Sequence, residues 1–328
     1  MRSLAACGLF VLAVACSGSE RPAPALGGRS PEPTDARTRI VATHVPRLRE
    51  PTPAPTSEPA QPPEPPTLSG PPAQPRFREP VVERAETRAV VFLYHAFNRG
   101  AQRLSVRARD LDGQLTWLEQ NHVEVISTSE LLGFLEGELA LPARVAVLHI
   151  DDGLKSVYAS AWPVLRQHGA RFTVGIPTGM LEEPKNAPVM TWDEVREMVA
   201  SGLCEVASHG HMHRRLPSLS GRLAREEIDL SRDLITARIG KAPVAFLYPL
   251  GAFSPSSAKA VEKAGYPGAF RATGAPIAAG SSSLFWLPRV SIFHGEPAET
   301  FSLYYGDRFI GQVRYDKKRD RALHRKTP

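Results

Sequence analysis

Short apolar runs rich in β-branched residues recur along the chain from residue 89 onward, and each is typical of a strand buried on both faces. They cover residues 89–95, 144–150, 171–176, 203–207 and 244–247, with shorter ones near Ala269 and Val290. Between these runs lie segments with apolar residues at helical spacing. Those segments are the region behind Ser105, which is the candidate N-cap of its helix, a stretch through Val164 and Leu165, and residues 192–200, 226–239 and 254–265. The pattern therefore predicts strands and helices in alternation.

Alternation of this kind indicates βα units around a parallel sheet. About seven units in roughly 240 residues fit a closed sheet better than an open one. We therefore expect an α/β fold, a distorted (β/α) barrel of about seven parallel strands. In such barrels the functional side chains lie at the C-terminal ends of the strands, so polar residues at those ends are the first candidates for chemistry.

The first quarter of the chain has a different composition. Seventeen of the 31 prolines lie between residues 17 and 88, together with many Ala, Glu, Ser and Thr residues. Proline lacks the backbone donor and favours an extended conformation, so such a segment cannot form a packed core. We expect residues 16–86 to be a disordered Pro-rich tether ahead of a folded domain at residues 87–310.

The N-terminus is similar to an export signal. A basic start precedes an apolar run that is too short to span a bilayer and that ends in Ala13-Val14-Ala15-Cys16. Small residues before a cysteine resemble the lipobox of bacterial lipoproteins, in which leucine usually stands at the position of Ala13. We expect residues 1–15 to be a signal peptide and Cys16 to be lipidated, with an ordinary secretory signal as the alternative. The protein is then exported to the periplasm or cell surface, and the lipid would anchor it to a membrane.

Charge indicates which partners the chain could bind, and the cysteine content indicates whether the folded domain has a disulfide. The net charge is +6, and seven basic residues against two acidic ones lie between Arg314 and Lys326. This basic tail, residues 311–328, is either a solvated end or a contact for an anionic envelope polymer. No nucleic-acid-binding module is recognisable. Cys204 is the one cysteine left in the expected folded domain, so no disulfide is expected there.

Unusual polar groups follow two of the predicted strands. Asp151 and Asp152 come directly after residues 144–150, and two adjacent carboxylates at that place are unfavourable unless a cation meets them. His209 and His213 follow residues 203–207 and are four residues apart, a spacing that can direct two imidazoles at one metal ion. A surface histidine cluster is the alternative. Imidazole and carboxylate together suit zinc or a neighbouring divalent ion.

Together these segments resemble carbohydrate esterase family 4, the NodB-homology polysaccharide deacetylases. The first motif of that family, commonly Thr-Phe-Asp-Asp-Gly, is similar to residues 149–153, and the second, His-Ser/Thr-x-x-His, is similar to residues 209–213. Residues 246–251 look like the third motif and residues 287–290 like the fourth. The resemblance covers residues 89 to about 300. It is closest to the circularly permuted branch that includes the biofilm poly-N-acetylglucosamine deacetylases.

The resemblance implies a metal-dependent hydrolase. The metal would be a divalent ion, zinc first with cobalt or nickel as alternatives, and its ligands would be Asp152, His209 and His213. Asp151 would be the general base, and the backbone N–H of Leu250 would help to hold the oxyanion.

The sequence departs from the family pattern at three places. Leu247 stands where the third motif usually has an arginine, so Arg289 is the candidate to orient Asp151 instead. Gly210 replaces the usual Ser or Thr of the second motif, and Leu250 replaces an aromatic residue. The four positions implied as metal ligands and base are all retained.

Two histidines compete for the role of general acid, which protonates the leaving amine. His95 follows Tyr94 and matches the Tyr-His strand end of the permuted branch, so it is our first choice. His294 imitates the Leu-x-His motif of the unpermuted branch and is the second choice. A buried histidine with satisfied hydrogen bonds is the alternative for each.

The resemblance thus implies hydrolysis of N-acetyl groups from an envelope or extracellular polysaccharide that contains N-acetylglucosamine. One alternative is an inactive carbohydrate-binding protein on the same fold, which the retained Asp151 and metal-ligand positions disfavour. Another is an O-acetyl esterase acting on an acetylated xylan-type polymer. A serine hydrolase is disfavoured because the sequence lacks a Gly-x-Ser-x-Gly elbow.

Overall fold

The computed structural model describes residues 76–305, except for residues 99, 101, 185–187, 275, 279 and 281–282. By its contacts the chain divides into residues 1–69 and 70–328, and the described residues belong to the second unit. The predicted signal peptide, Cys16, most of the predicted tether and the basic tail lie outside the described residues. Within the described part of the chain, no helix combines the length and the apolar character needed to cross a bilayer.

The described residues form strands and helices in the alternation that the sequence predicts. The strands are β1 (Arg88–Tyr94), β2 (Ala96–Phe97), β3 (Ser105–Val106), β4 (Glu124–Ile126), β5 (Arg144–Ile150), β6 (Phe172–Ile176), β7 (Cys204–Ser208), β8 (Phe246–Leu247), β9 (Ala269–Phe270), β10 (Ile277–Ala278) and β11 (Val290–Ser291). The helices are α1 (Ala108–Gln120), α2 (Thr128–Glu136), α3 (Trp162–Gln167), α4 (Thr178–Glu182), α5 (Trp192–Ala200), α6 (Gly221–Ile239), α7 (Pro255–Lys263) and α8 (Ser302–Tyr305). A π-helical turn (Val157–Ala161) precedes α3, and short 3-10 turns lie at Arg84–Glu86, Leu216–Ser218, Pro249–Gly251 and Ala298–Phe301.

The main sheet is dominated by parallel pairing. Its strands follow the order β10-β1-β5-β6-β7-β8-β9, with β11 beside β1 and β4 beside β5. Every pairing between these strands is parallel except that of β1 with β10. A parallel sheet needs a crossover between successive strands, and the helices between them supply it. The predicted α/β class and parallel sheet are therefore confirmed.

Residues 287–291 pair with two strands that are far apart in the order of this sheet, β9 and β1. Leu287 pairs in parallel with Phe270 of β9, and Val290 pairs in parallel with Phe92 of β1. Arg289 lies between these two pairings, so its position is set by both strands.

The strand β1 is apolar along its length because core lies on both of its faces. Val90 and Phe92 belong to a cluster that includes the buried leucines of α1. Val91 belongs to a second cluster, with Val147 of β5 and Phe270 of β9. Alternate side chains of a strand point to opposite faces, so a continuous apolar run is what a strand buried on both faces requires.

Both ends of the described chain lie at the N-terminal ends of strands. Near residue 76, the backbone N–H of Arg78 donates to the carboxylate of Glu124, the first residue of β4, at 3.2 Å. At the other end, the Tyr305 hydroxyl donates at 3.0 Å to the carbonyl of Val145, near the start of β5. The Arg88 guanidinium, at the start of β1, donates at 3.3 Å to the carbonyl of Tyr305. We call this end of the sheet, where the strands begin, the lower face.

Two features differ from the sequence prediction. Ser105 was expected to cap the helix that follows it, but α1 begins at Ala108 with Arg107 at the N-cap position. Ser105 instead belongs to β3, and its hydroxyl donates to Asn98 at 2.6 Å, so it is not available for capping. The second feature is the end of the predicted tether, where Phe77 is buried against the domain.

Candidate active site

The candidate site lies at the C-terminal ends of β5, β6 and β7, which are adjacent in the sheet. Asp151 follows β5, and its N–H donates to the carbonyl of Tyr94 at 3.0 Å. His209 follows β7, and its N–H donates to the carbonyl of Ile176 at 2.9 Å. These bonds continue the sheet ladder beyond the strand ends, so the backbone of both residues is fixed.

Asp152, His209 and His213 converge, and we call them the metal triad. One carboxylate oxygen of Asp152 lies 3.5 Å from Nε2 of His209 and 3.3 Å from Nε2 of His213. The two Nε2 atoms lie 3.1 Å apart. One ligand atom from each residue thus lies within 4.8 Å of the others, as ligands of a single ion require. The structure therefore brings together the three residues that the sequence predicts as ligands.

The tautomer of His209 leaves Nε2 free for a ligand bond. Its Nδ1 lies 2.7 Å from the carbonyl oxygen of Leu247, at the end of β8. A carbonyl can only accept, so Nδ1 carries the proton, and in the neutral ring Nε2 carries the lone pair. Sequence analysis missed this role of Leu247, because a backbone carbonyl leaves no signal in the residue type.

Electrostatics favour a cation at the metal triad. Burial alone would lower the pKa of His209, but Asp151 and Asp152 outweigh burial and raise it. Burial would raise the pKa of Asp152, but hydrogen bonds to His209 and His213 hold it well below its usual value. Two imidazoles and a carboxylate, three protein ligands in all, match the donor set of catalytic zinc sites. The residues present therefore fit a divalent metal.

Asp151 is held by Arg289 rather than by the metal triad. The Arg289 guanidinium donates to both carboxylate oxygens of Asp151 at 2.8 Å, and Arg289 is completely buried. Its Nε donates to the carbonyl of Arg271 at 3.1 Å. A bidentate pair fixes the plane of the carboxylate as well as its position. Asp151 still lies beside the triad, 3.6 Å from Nε2 of His209.

The ion pair also sets the protonation state of Asp151. Burial raises the pKa of this carboxyl, but Arg289, His209 and His95 together lower it to about 2. Asp151 is therefore ionised at neutral pH and can accept a proton.

Backbone strain is concentrated at the site. Within the described residues, the non-glycine residues with positive φ are His122, Asp152, His213 and Leu250. Three of these four belong to the site, and such conformations persist only where the surrounding structure imposes them. Leu250, with φ of 57°, lies in the turn after β8, and its side chain is exposed.

The two candidate acids have different surroundings. His95 directly follows β1, and it interacts electrostatically with Asp151, Asp152 and His209. Its Nδ1 is buried and has no hydrogen-bond partner among the described residues. Burial lowers the pKa of His95. The Nδ1 of His294, in contrast, lies 3.1 Å from the carbonyl oxygen of Ser105, at β3.

His149, which begins the first motif, is a buried neutral side chain two residues before Asp151. Its Nε2 lies 2.8 Å from the Thr128 hydroxyl, and its ring packs edge-on against Phe270. Burial holds its pKa well below the usual value, with a further contribution from Arg289. His149 is therefore an uncharged side chain close enough to Asp151 and Arg289 to interact with both electrostatically.

Comparison with known proteins links the part of the chain that carries the metal triad to a known family. Residues 139–269 match the family model of polysaccharide deacetylase, a range that contains the metal triad, Asp151 and Leu250 but not His95, Arg289 or His294. The chain is 23% identical over 198 residues to the poly-beta-1,6-N-acetyl-D-glucosamine N-deacetylase of Staphylococcus aureus (strain MRSA252), which covers 57% of this chain and 68% of that protein.

Two solved structures are similar in fold. One is the deacetylase PplD of Streptococcus pyogenes in complex with acetate, with a TM-score of 0.62 and 20% identity, covering 67% of this chain and 99% of that chain. The other is IcaB from Ammonifex degensii, with a TM-score of 0.61 and 24% identity, covering 67% of this chain and 97% of that chain. The similarity thus extends over nearly the whole of both known structures.

Proposed function

We propose, from the match of residues 139–269 to the polysaccharide deacetylase family model, that the chain hydrolyses N-acetyl groups of a polysaccharide containing N-acetylglucosamine, with a divalent metal as cofactor. Polysaccharide deacetylases are hydrolases that act on N-acetyl amide bonds. One observation carries the proposal. A buried carboxylate, ionised and held by Arg289, lies 3.6 Å from a ligand nitrogen of the metal triad. The candidate base and the candidate metal ligands thereby lie side by side.

The metal triad would hold the ion, with zinc as the first choice and cobalt or nickel as alternatives. When bound, such an ion polarises a carbonyl and lowers the pKa of water, which is the chemistry that amide hydrolysis needs. The Leu247 carbonyl keeps His209 in the tautomer that can bind it.

Different residues around the metal triad would accept the proton of water, stabilise the oxyanion and protonate the leaving nitrogen. Asp151 accepts the proton of the attacking water, and Arg289 keeps its carboxylate in one orientation. The N–H of Leu250 is the candidate donor to the oxygen that becomes negative. His95 gives a proton to the leaving nitrogen as the carbon–nitrogen bond breaks. The products are acetate and a free amine on the sugar.

Replacing His95 by asparagine should lower kcat by at least about 100-fold, because the amine is a poor leaving group without a proton. Replacing His294 by asparagine should change kcat by no more than a few-fold, because its ring bonds to the Ser105 carbonyl rather than to the site. Parallel steady-state assays of the two variants check this ranking. If the His294 variant is the more impaired of the two, the role of general acid passes to His294.

We also propose that the sheet closes into a distorted barrel. The support is the pairing of Leu287 with β9 and of Val290 with β1 by one short segment. Arg289, which is 138 residues from Asp151 in the chain, reaches it from this closing segment.

Poly-β-1,6-N-acetylglucosamine is the first substrate to test, since it is the polymer named for the Staphylococcus aureus relative. A lipidated Cys16 would hold the enzyme at a membrane, next to envelope or extracellular polymer. The basic tail would add a contact for anionic polymer.

Removal of metal should abolish acetate release, and zinc or cobalt should restore it. The purified protein is treated with a chelator, reloaded, and assayed on β-1,6-linked and β-1,4-linked N-acetylglucosamine oligomers, peptidoglycan and acetylated xylan. Acetate from a glucosamine polymer that depends on metal supports the proposal. Release from xylan alone would instead indicate an O-acetyl esterase. No release from any of them, by protein with bound metal, would favour a binding role.

A further inference from the structure

Two members of the metal triad lie on one irregular segment, residues 209–213, which we call the metal loop. The loop follows β7 and contains two residues with positive φ, Gly210 at 75° and His213 at 55°. It belongs to no helix or strand, so its backbone N–H and C=O groups need partners elsewhere in the molecule.

The carbonyl groups of the loop are bound by the start of α4. The N–H of Thr178 donates to the carbonyl of Gly210 at 3.1 Å, and the N–H of Gly179 donates to the carbonyl of His211 at 2.8 Å. The Thr178 hydroxyl also lies 3.0 Å from Nδ1 of His211. One side of the loop is therefore fixed by backbone bonds.

The N–H groups of the loop are bound by one side chain of α6. A single carboxylate oxygen of Glu227 accepts from the N–H of His211 at 3.0 Å and from that of Met212 at 2.8 Å. Glu227 is 2% exposed, so water cannot readily replace these bonds. The cation nearest to its other oxygen is Arg214, with Nε 3.6 Å away and a half-exposed side chain.

A second residue of the same helix face supports the beginning of the loop. Ser231 is one helical turn beyond Glu227, and its hydroxyl lies 2.6 Å from the Ser208 hydroxyl. The Ser208 oxygen accepts from the N–H of Gly210 at 3.1 Å. Three successive N–H groups of the loop, those of residues 210–212, are therefore satisfied by Ser208 and by α6.

Gly210, which has no side chain, leaves room for the carboxylate of Glu227. A Cβ at Gly210 would come within 3.1 Å of the bonding oxygen of Glu227 and 3.3 Å of Pro249. A side chain there would crowd the carboxylate, and the positive φ of Gly210 disfavours any residue with a Cβ. The Glu227 contact therefore depends on a glycine at position 210.

We propose that Glu227 is a positioning residue for the metal site: by binding the N–H groups of His211 and Met212 it holds His209 and His213 in the orientation that binds metal. Glu227 is not itself a ligand. This inference rests on the proposed metal-dependent function.

Two substitutions that change Glu227 in opposite ways test the inference. Glu227→Asp keeps the charge but shortens the side chain by one methylene, so the carboxylate no longer reaches both N–H groups. Glu227→Gln removes the charge but keeps an oxygen at the same reach. We expect the Asp variant to lose affinity for Co²⁺ and Zn²⁺ by about 10- to 100-fold, and the Gln variant to stay within about threefold of the wild type.

The affinities are measured on the full protein by titration of Co²⁺ absorption against a competing chelator, and by displacement with Zn²⁺. Glu130→Asp and Glu130→Gln are the matched controls, since Glu130 is also buried and also accepts a backbone N–H, from Ser127, but lies in α2. They should lower Tm without changing metal affinity. Measuring Tm of each metal-free variant separates loss of folding from loss of metal.

A Glu227→Asp variant with wild-type affinity overturns the inference, as does a Glu227→Gln variant as weak as the Asp variant. In both cases metal uptake by the wild type leaves the proposed function standing. A wild type that takes up neither ion overturns the proposed function and this inference together.

Discussion

Replacing Asp151 by asparagine should lower kcat by at least about 100-fold while metal binding is retained. The carboxylate is the proton acceptor in the proposed reaction, and with a pKa lowered to about 2 it is ionised at every pH where the enzyme would work. Asparagine has the same shape but accepts no proton. The three residues of the metal triad are untouched by the change. The expected result is therefore a protein that binds metal and releases almost no acetate.

His213→Ala is the matched control for this experiment. It removes a ligand of the metal triad, so it should lose both metal and turnover, whereas Asp151→Asn should lose turnover alone. Metal content and acetate release are measured on the same preparations. Asp151→Asn leaves one Arg289 N–H without its acceptor, and we expect a loss of about 1–3 kcal/mol of unfolding free energy. Near-full activity of Asp151→Asn would show that another group is the base.

Arg289→Met should produce the largest loss of stability, about 3–5 kcal/mol of unfolding free energy. Arg289 is completely buried and makes both of its carboxylate bonds to one residue, Asp151. Its removal leaves a buried carboxylate without its main cation. Urea unfolding of the wild type, the single variants and Asp151→Asn/Arg289→Met measures the coupling. The double variant should be more stable than Arg289→Met, because it contains no unpaired charge.

The same substitution should shift the pH dependence of activity. Burial raises the pKa of Asp151, and Arg289 is the main group that lowers it to about 2. Without Arg289 the pKa rises, so the proton-accepting form is lost at a higher pH as acid is added. The acid limb of the pH profile of kcat/KM should therefore move to higher pH. The depressed pKa also stabilises the wild type above about pH 3.9, an effect lost as the pH falls towards 2 and absent from the variant. An unchanged acid limb would contradict the assignment of Asp151 as the base.

The long strands and helices could be predicted because their patterns are regular. Residues 144–150 are a strand in both the prediction and the structure, and α5 has the predicted bounds 192–200. Strand β4 has three residues and α4 has five, which is too short for a period to be recognised. Helix α2 was not predicted. The residues that mark it are those at its two ends, the capping box of Ser127 and Glu130 and the terminating Gly137.

The residues of the site could be predicted where they follow a strand or, like Arg289, lie in a segment that resembles a family motif. Asp151, Asp152, His209 and His213 all do, since parallel strands end at the same edge of the sheet. Glu227 gives no such signal, because an acidic residue in an amphipathic helix normally faces solvent. Its role depends on the way α6 packs against the metal loop, which no local pattern encodes.

The position of the two ends of the described chain has a practical consequence. Arg78 and Tyr305 both contact the lower face, at the starts of strands, whereas the metal triad lies where strands end. A long polymer must approach the triad from open solution, and neither end of the described domain stands in that path. Coupling the domain to a bead or a sensor surface near either end should leave the metal triad accessible to polymer. Attachment through the turn that carries Leu250, beside the site, should block it.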